Sequence, residues 1–324
     1  MGRMSTAESL APARVSTPAG QPTPASSVMV LIPALNEAAS IGEVVAAARR
    51  CAAPLAELGL GLSVCVIDDG STDGTAAAAR GAGADHVLKH GRNMGVGAAV
   101  RTGLIYARTR GFGVAVKLDG DGQHDPADIP ALIRPILDDQ ADVVYGNRFS
   151  RIDYRMPLYR RAGNAVFRRL MRWLTGWDIE DSQPGMFAVN RSYLAVSFIP
   201  GDYNYTQQVL LDSYLKGMRF EQAPISFRRR RSGESFISLQ YPFRVLSQIL
   251  VLMVMVRPLK IFLPLAAFFL GSGAVIGTVE LGMWAAGIAE RPIEHVNLVL
   301  GLAMFGLNTG FFGLLAEAIA RRSS

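Results

Sequence analysis

Residues 114–124 read VAVKLDGDGQH, an apolar run that passes directly into an acidic loop. The run 114–118 predicts a buried strand. Asp119 and Asp121 follow at its end, and two carboxylates at this spacing can share a divalent cation with a substrate diphosphate. The stretch therefore indicates nucleotide chemistry at the end of a strand.

Strands and helices alternate around this stretch. Strands are predicted over 28–32, 62–67, 86–89, 114–118 and 143–145, and helices over 40–50, from 75, over 95–108 and over 128–137. The alternation predicts an α/β fold, a mostly parallel sheet with helices on both faces. Ligands bind such sheets outside the carboxyl ends of the strands. The acidic loops 68–74 and 119–123 both fall there.

Two local signals predict where elements begin and end. Pro33 is expected to stop the first strand. Ser40, with Glu43 three residues later, predicts a capping box at the start of the first helix.

Composition limits the class of protein. At 324 residues the chain has room for one α/β domain and a further unit. Its mean hydropathy of +0.22 is high for a soluble enzyme, and the excess is concentrated near the C-terminus. Basic residues cluster before the apolar tail in a chain of net charge +6, which favours an anionic lipid surface over nucleic acid as partner. Cys51 and Cys65 lack metal-ligand spacing and are expected to be small buried residues.

The sequence divides into four predicted segments. Residues 1–27, rich in Ala, Ser, Thr and Pro, are expected to be a disordered arm and not a secretory signal. Residues 28–236 hold the α/β domain. Residues 237–258 form a juxtamembrane amphipathic segment, because polar residues recur among its apolar ones. Residues 259–324 form a transmembrane hairpin.

The hairpin consists of two apolar segments, 261–279 and 296–319, which approach or exceed the roughly 20 residues that cross a bilayer. The alternative is a pair of buried core helices. Basic residues flank the outer ends and acidic residues dominate the connector, so the positive-inside rule predicts a multi-pass protein of the cell membrane with a cytoplasmic catalytic domain. Small residues at 271–273 and 306–313 could serve contacts within the hairpin or in a homo-oligomer.

Residues 158–174 predict a basic amphipathic helix. Its arginines are Arg160, Arg161, Arg168, Arg169 and Arg172. The charged face is either solvated or contacts phosphate or the membrane surface. Trp173 and Trp177 are interpreted as interface or packing residues.

Polar residues at the strand ends match the parts of a nucleotide sugar. Asn36 and Glu37 offer an amide and a carboxylate to base and ribose, and glycines near Asn93 let the backbone approach a ligand closely. The candidate nucleotide-sugar ligands are Pro33, Leu35, Asn36, Glu37, Asp68, Asp69, Gly70, Asn93, Gly95, Asp119 and Asp121. The candidate ligands of a divalent cofactor, Mg²⁺ or Mn²⁺, are Asp119, Asp121 and Gln123.

In their order and placement, these motifs resemble family 2 glycosyltransferases of GT-A fold. The resemblance is carried by residues 32–37, 68–75, 119–126, 145–148, 181–187 and 233–235. With two C-terminal apolar segments, the chain is similar to polyprenyl-phosphate glycosyltransferases of the dolichyl-phosphate type. The resemblance implies a GT-A domain, an interfacial helix and a transmembrane hairpin. It also implies inverting transfer of a hexose from a UDP- or GDP-sugar to a polyprenyl phosphate such as dolichyl or undecaprenyl phosphate.

By position, the resemblance also implies roles for single residues. Asp119, Asp121 and Gln123 would form the metal and diphosphate site. Arg148, Arg160 and Arg230 would grip the acceptor phosphate, since a planar guanidinium suits a phosphate monoester. These three arginines and Asp121 are the predicted catalytic residues. For Arg230 the alternative is a purely electrostatic membrane anchor.

Three further positions keep open interpretations. Gln208 stands where many family members have a glutamate that can act as a base towards a hydroxyl acceptor. An amide cannot take a proton, and an ionised phosphate needs no base, so Gln208 favours a lipid-phosphate acceptor. Asp181 could contact the donor sugar or cap a turn. His124 could contact a donor phosphate or support the loop.

Two rival functions fit parts of the pattern. A hydroxyl-directed polysaccharide or glycolipid synthase of the same fold would be expected to carry more membrane helices and a Gln-x-x-Arg-Trp motif. Arg172-Trp173 lacks the glutamine and follows the wrong segment. A non-catalytic scaffold with a degenerate domain is the other rival, and the intact Asp-x-Asp loop argues against it.

Overall fold

The computed structural model describes residues 24–148, 158–181, 183–199, 201, 205–226, 254 and 257–323. Most of the predicted N-terminal arm and of the juxtamembrane segment lies outside the described residues. So do Arg230 and the motif at 233–235.

The α/β domain is built on one seven-stranded sheet. The strands are β1 (Ser27–Ala34), β2 (Gly61–Asp68), β3 (His86–Lys89), β4 (Val114–Lys117), β5 (Val143–Asn147), β6 (Phe187–Asn190) and β7 (Phe220–Pro224). They are arranged in the order β3-β2-β1-β4-β6-β5-β7. Only β6 runs antiparallel to its neighbours, β4 and β5. The predicted mostly parallel sheet is confirmed, and β6 and β7 are additions to the five predicted strands.

Helices cover both faces of the sheet. They are α1 (Ile41–Arg49), α2 (Ala52–Glu57), α3 (Thr75–Gly81), α4 (Val96–Arg110), α5 (Ile129–Leu137), α6 (Leu158–Thr175), α7 (Arg191–Val196), α8 (Tyr205–Leu215), α9 (Leu259–Ala285) and α10 (Val296–Ser323). Alternate residues of β1 point to opposite faces. Met29 and Leu31 pack with α4, α6, α7 and α8, whereas Val28 and Val30 pack with α1, α2, α3 and α5. Two hydrophobic cores therefore enclose a sheet buried on both sides.

The prediction that Pro33 ends the first strand is wrong. Strand β1 continues to Ala34, and Pro33 pairs with Ile67 of β2. The backbone N–H of Leu118 donates to the carbonyl of Leu31, so the backbone groups of Leu31 face β4. Because every second residue of a strand presents its backbone groups to the same neighbour, those of Pro33 also face β4. The ladder between β1 and β4 ends at Leu31 and Lys117, so the missing N–H of Pro33 removes no ladder hydrogen bond.

The predicted capping box is also wrong. Ser40 precedes α1 in a helical conformation, and its side chain makes no capping hydrogen bond. Its hydroxyl instead contacts the Glu37 carboxylate at 2.6 Å and the Gly120 carbonyl at 3.1 Å. Ser40 therefore connects the loop after β1 with the loop after β4.

The two C-terminal helices are long and apolar enough to cross a membrane. The most apolar 18-residue stretches of the two helices have mean hydropathies of 2.0 and 1.8, yet only 11% and 17% of these stretches are buried. Core helices, the alternative interpretation, would instead be mostly buried. A Cβ at Gly306 would press on the Leu270 side chain, and one at Gly313 on Phe262. These two glycines therefore serve close contact within the hairpin.

Candidate active site

The loops after β1 and β2 are joined at the carboxyl edge of the sheet. The backbone N–H of Asn36 donates to the Ser71 hydroxyl at 3.0 Å, and that of Thr72 donates to the Asn36 amide oxygen at 3.0 Å. The N–H of Glu37 donates to the Thr75 hydroxyl at 2.9 Å. Asn36 adopts a left-handed conformation, φ 53°, which asparagine tolerates better than most residues. The predicted ligands at 33–37 and 68–70 therefore belong to one surface.

Asp68 has one carboxylate oxygen in use and one available. Its side chain is buried, and Oδ1 accepts a hydrogen bond from the Ser71 N–H at 2.8 Å. Oδ2 lies 3.8 Å from the Lys89 ammonium and has no hydrogen-bond partner among the described residues. A buried oxygen without a donor is costly, so this position suits a donor supplied by a ligand hydroxyl or base.

Asp69 holds a glycine loop in place. Its oxygens accept from Met94 N–H at 3.0 Å and Gly95 N–H at 2.8 Å, and Oδ1 lies 2.7 Å from His90 Nδ1. Gly70, at φ +79°, packs against the backbone of Arg92 so closely that a Cβ would overlap it. Both predicted residues therefore shape the loop 90–95, a role the sequence did not reveal.

The glycine loop leads into α4. Gly95 precedes the helix at φ 94°, and its N–H also lies 3.0 Å from the Asn93 amide oxygen. Arg101, one turn further along α4, donates to the Ile199 carbonyl at 2.9 Å. The loop and the segment before α8 are therefore fixed to the same helix.

A buried lysine, missed at the sequence level, organises the acidic loop after β4. The ammonium of Lys117 is fully buried and donates to the Asp119 carboxylate, the Tyr205 hydroxyl and, at 2.8 Å, the Gly185 carbonyl. Burial alone would lower the pKa of Lys117, but Asp119 and Tyr205 outweigh burial and raise it above its usual range. Lys117 therefore stays charged and joins β4, the segment before β6 and α8. Its signal was a lysine inside an apolar strand, directly before the acidic loop.

His124 closes the inner side of this loop. It is buried, with Nδ1 3.9 Å from Asp119 Oδ2. Burial lowers the pKa of His124 to about 4. The Asp119 carboxylate opposes this shift, whereas the charges of Lys117 and Arg148 add to it, so the ring is neutral near pH 7. A Cβ at Gly185 would overlap both His124 and Asp119. Of the two predicted roles for His124, this packing suits support of the loop.

Arg148 forms an ion pair with Asp181. Its Nε lies 2.9 Å from Asp181 Oδ2, and the aspartate side chain is fully buried. Burial raises the pKa of Asp181, although the Arg148 guanidinium opposes that shift. Arg160 belongs to α6, but its side chain lies outside the described residues, as does all of Arg230. The structure therefore locates one of the three predicted phosphate-binding arginines.

The predicted metal ligands form an open set of hard oxygens. Asp121 Oδ1 accepts the N–H of Gln123 at 3.1 Å, and Asp119, Asp121 and Gln123 are all half-buried. Among the described side chains, no group of three or more His, Cys, Asp or Glu could enclose a metal by itself. Mg²⁺ usually takes one or two carboxylates together with substrate phosphates, so the residues fit a cation shared with a diphosphate.

The chain belongs to glycosyl transferase family 2, whose profile matches residues 29–198. Glycosyltransferase AglJ of Haloferax volcanii is 30% identical over 309 residues, which cover 92% of this chain and 95% of AglJ. Dodecaprenyl-phosphate galacturonate synthase of Rhizobium johnstonii is 26% identical over 317 residues, 93% of this chain and 89% of the relative. The similarity to both relatives therefore extends well beyond the family domain.

A solved structure gives the same fold. Glucosyl-3-phosphoglycerate synthase of Mycobacterium tuberculosis, in complex with Mn²⁺, UDP and glucosyl-3-phosphoglycerate, is 25% identical with a TM-score of 0.53. The match covers 71% of this chain and 79% of the synthase. The catalytic domain is therefore a GT-A-like glycosyltransferase domain, and the protein is a transferase.

Proposed function

We propose that the protein transfers a hexose, with inversion, from a UDP- or GDP-sugar to polyprenyl phosphate at the cytoplasmic face of the cell membrane. One observation carries the proposal: two acidic loops share the carboxyl edge of a sheet in a chain that ends in two exposed apolar helices. The first feature suits a nucleotide sugar. The second suits an acceptor that resides in the bilayer. The similarity to a dodecaprenyl-phosphate galacturonate synthase supports an acceptor of the same class.

The donor would lie across the joined loops. Asp68 Oδ2, buried and without a hydrogen-bond donor among the described residues, would accept from a hydroxyl or the base of the nucleoside. The glycine loop held by Asp69 would bring backbone N–H groups towards the phosphates. Asp119, Asp121 and Gln123 would hold Mg²⁺ or Mn²⁺, which when bound neutralises charge on the diphosphate.

The acceptor phosphate would be bound by Arg148, whose guanidinium is held in place by its ion pair with Asp181 at 2.9 Å. By the family resemblance, Arg160 and Arg230 would complete this site. A phosphate oxygen then forms the new bond to the anomeric carbon. The bond from that carbon to the donor diphosphate breaks, and its electron pair leaves with the nucleoside diphosphate. No proton has to be removed, because the phosphate is ionised near pH 7.

Gln208 supports a phosphate acceptor over a hydroxyl acceptor. It is buried, and its side-chain oxygen accepts the N–H of Gly201 at 2.8 Å. An amide does not take a proton near pH 7, and the oxygen of this one already accepts a backbone hydrogen bond, so Gln208 cannot serve as a base. A hydroxyl-directed synthase would need a base from elsewhere in the chain.

The test is incubation of membranes containing the protein with a panel of labelled nucleotide sugars, followed by mild-acid release of sugar from the lipid fraction. We expect one donor to label an acid-labile lipid. Asp121→Asn should abolish labelling while the protein still inserts, whereas the exposed surface variant Asp138→Asn should label normally. Label found only in alkali-stable glycolipid or polymer would favour the hydroxyl-directed synthase instead.

A further inference from the structure

The first turn of α9 is attached to the end of α6. The Lys260 ammonium donates to the carbonyls of Trp173 at 2.7 Å and Leu174 at 3.4 Å, and lies 4.9 Å from the centre of the Trp173 ring. The last carbonyls of a helix lack partners within the helix, and a cation there is stabilising. Lys260 therefore caps α6 from the membrane helix.

A second cation near the start of α9 makes a similar contact with α8. Arg257 donates to the Tyr214 hydroxyl, and its guanidinium carbon lies 5.2 Å from the centre of that ring. Tyr214 in turn meets Trp177 edge to face, with ring centres 5.4 Å apart. Two cation–aromatic pairs thus fix the beginning of the hairpin to the catalytic domain. We call Trp173, Tyr214, Arg257 and Lys260 the interfacial cluster.

The length of α9 sets the depth of this cluster. Its 27 residues extend about 40 Å at the α-helical rise, roughly 10 Å more than the hydrocarbon core of a bilayer. In the proposed membrane location, each end of α9 would therefore reach the headgroup layer. Lys260 is the second residue of the helix, and lysines at this position direct their ammonium towards the interface.

Trp173 must lie at the same depth, because its ring and carbonyl both contact Lys260. It is 48% exposed, which is unusual for a tryptophan. Tryptophan and tyrosine are enriched in the headgroup layer, where one end of the ring is apolar and the other wet. Arg169, exposed on α6, and Arg257, exposed two residues before α9, add positive charge close to Trp173 and Lys260 in the chain.

We propose that Trp173 inserts into the phospholipid headgroup layer and that the interfacial cluster holds the catalytic domain against the bilayer. The occupant of this surface is the layer of phospholipid phosphates and glycerols, whose charge complements Arg257 and Lys260. The inference rests on the proposed membrane location. Segment 175–181 connects the cluster to Asp181, the partner of Arg148, so the same anchor sets the height of the proposed acceptor site above the bilayer.

Lipid-attached quenchers can test the depth of each tryptophan, because the full chain has only three, Trp173, Trp177 and Trp284. Three single-tryptophan proteins, with phenylalanine at the other two positions, are placed in phosphatidylcholine vesicles containing phosphatidylglycerol. Spin labels at the headgroup or deep in the acyl chain then report depth. Tyrosine at position 177 provides a second version of the Trp173 protein should phenylalanine there disturb folding.

We expect headgroup labels to quench Trp173 several-fold more than Trp177, which is stacked on Phe220 with ring centres 4.8 Å apart, and deep labels to quench Trp173 weakly. Trp284, at the far end of α9, should be quenched by headgroup labels in the opposite leaflet and reports insertion. Quenching of Trp284 without quenching of Trp173 would overturn this inference alone. If Trp173 were then also shielded from aqueous iodide, a protein partner or second copy would be the occupant. Absence of quenching at Trp284 would overturn the membrane location as well.

Discussion

The ammonium of Lys117 is fully buried against the carboxylate of Asp119, whose side chain is 31% exposed. One residue of the acidic loop therefore faces a buried cation on one side and the ligand edge of the sheet on the other. Much of the negative charge of Asp119 is balanced within the protein. Asp121, two residues on, is half-buried, and its carboxylate accepts the N–H of Gln123. We expect a shared cation to depend on this second carboxylate as well.

Replacing Lys117 by methionine should damage both stability and transfer. The change leaves Asp119, the Tyr205 hydroxyl and the Gly185 carbonyl without their shared donor, at a cost on the order of 3 kcal/mol. Chemical unfolding of the full chain in detergent measures it. Arg134→Gln removes an exposed i,i+4 pair with Asp138 and should cost about 0.5 kcal/mol or less. Equal stability of the two variants would contradict a central role for Lys117.

Gly185→Ala should abolish transfer. A methyl group at this position overlaps both Asp119 Oδ2 and His124, so the acidic loop must move. Gly81→Ala is the matched control, because no atom lies within 4 Å of its Cβ position and alanine favours the helix. Transfer assays on membranes distinguish the two, and a Gly185→Ala protein with normal turnover would show that the loop tolerates displacement.

Asp142 should stabilise the sheet above mildly acidic pH. Its carboxylate accepts from Arg219 N–H at 2.8 Å and from the Asn190 amide at 2.7 Å, and the Arg219 hydrogen bonds lower its pKa. Because the folded pKa is depressed, this stability is present above the unfolded pKa and is lost as pH falls through the folded one. Asp142→Asn should cost about 1–3 kcal/mol near pH 7.

The difference in unfolding free energy between Asp142→Asn and the parent chain should shrink as pH falls below about 4. Asp138→Asn, which affects an exposed i,i+4 pair with Arg134, should change stability by less than about 0.5 kcal/mol at either pH. A cost at Asp142 that is the same at both pH values would refute the linkage.

Arg148→Gln should weaken the acceptor more than the donor. The change removes the guanidinium proposed to bind the lipid phosphate and leaves Asp181 buried without its cation. We expect the KM for polyprenyl phosphate to rise by about tenfold or more, with the KM for the nucleotide sugar nearly unchanged. Arg134→Gln, a surface change on α5, is the control. A selective rise in the KM for the nucleotide sugar would contradict this assignment and indicate that Arg148 binds the donor.

The sequence predicted the parts of the fold that have a strong local pattern. Apolar runs marked β1 to β5, and the long apolar segments marked α9 and α10. It missed β6, which has only four residues, and β7, whose sequence FEQAP has no clear alternation. Strand β6 pairs with β4 and β5, and β7 pairs with the other edge of β5. Both strands therefore depend on tertiary pairing and not on a local sequence pattern.

At the site, residue types located the acidic loops but not the division of work within them. Asp68 and Asp69 are adjacent and chemically identical, yet one keeps an available oxygen and the other holds the glycine loop. Lys117 reads as part of a strand, and its partners Gly185 and Tyr205 are distant in the chain. Such contacts depend on packing and not on spacing. Likewise, the exposed ring of Trp173 gained meaning only from its contact with Lys260.

The most direct test measures transfer by purified protein with polyprenyl phosphate or the corresponding polyprenol as acceptor, after divalent ions have been removed and then restored. The account predicts that transfer to the phosphate is lost on chelation and returns with Mg²⁺ or Mn²⁺, and that the alcohol is not glycosylated. Undiminished transfer in the chelated protein, or a preference for the alcohol, would contradict it.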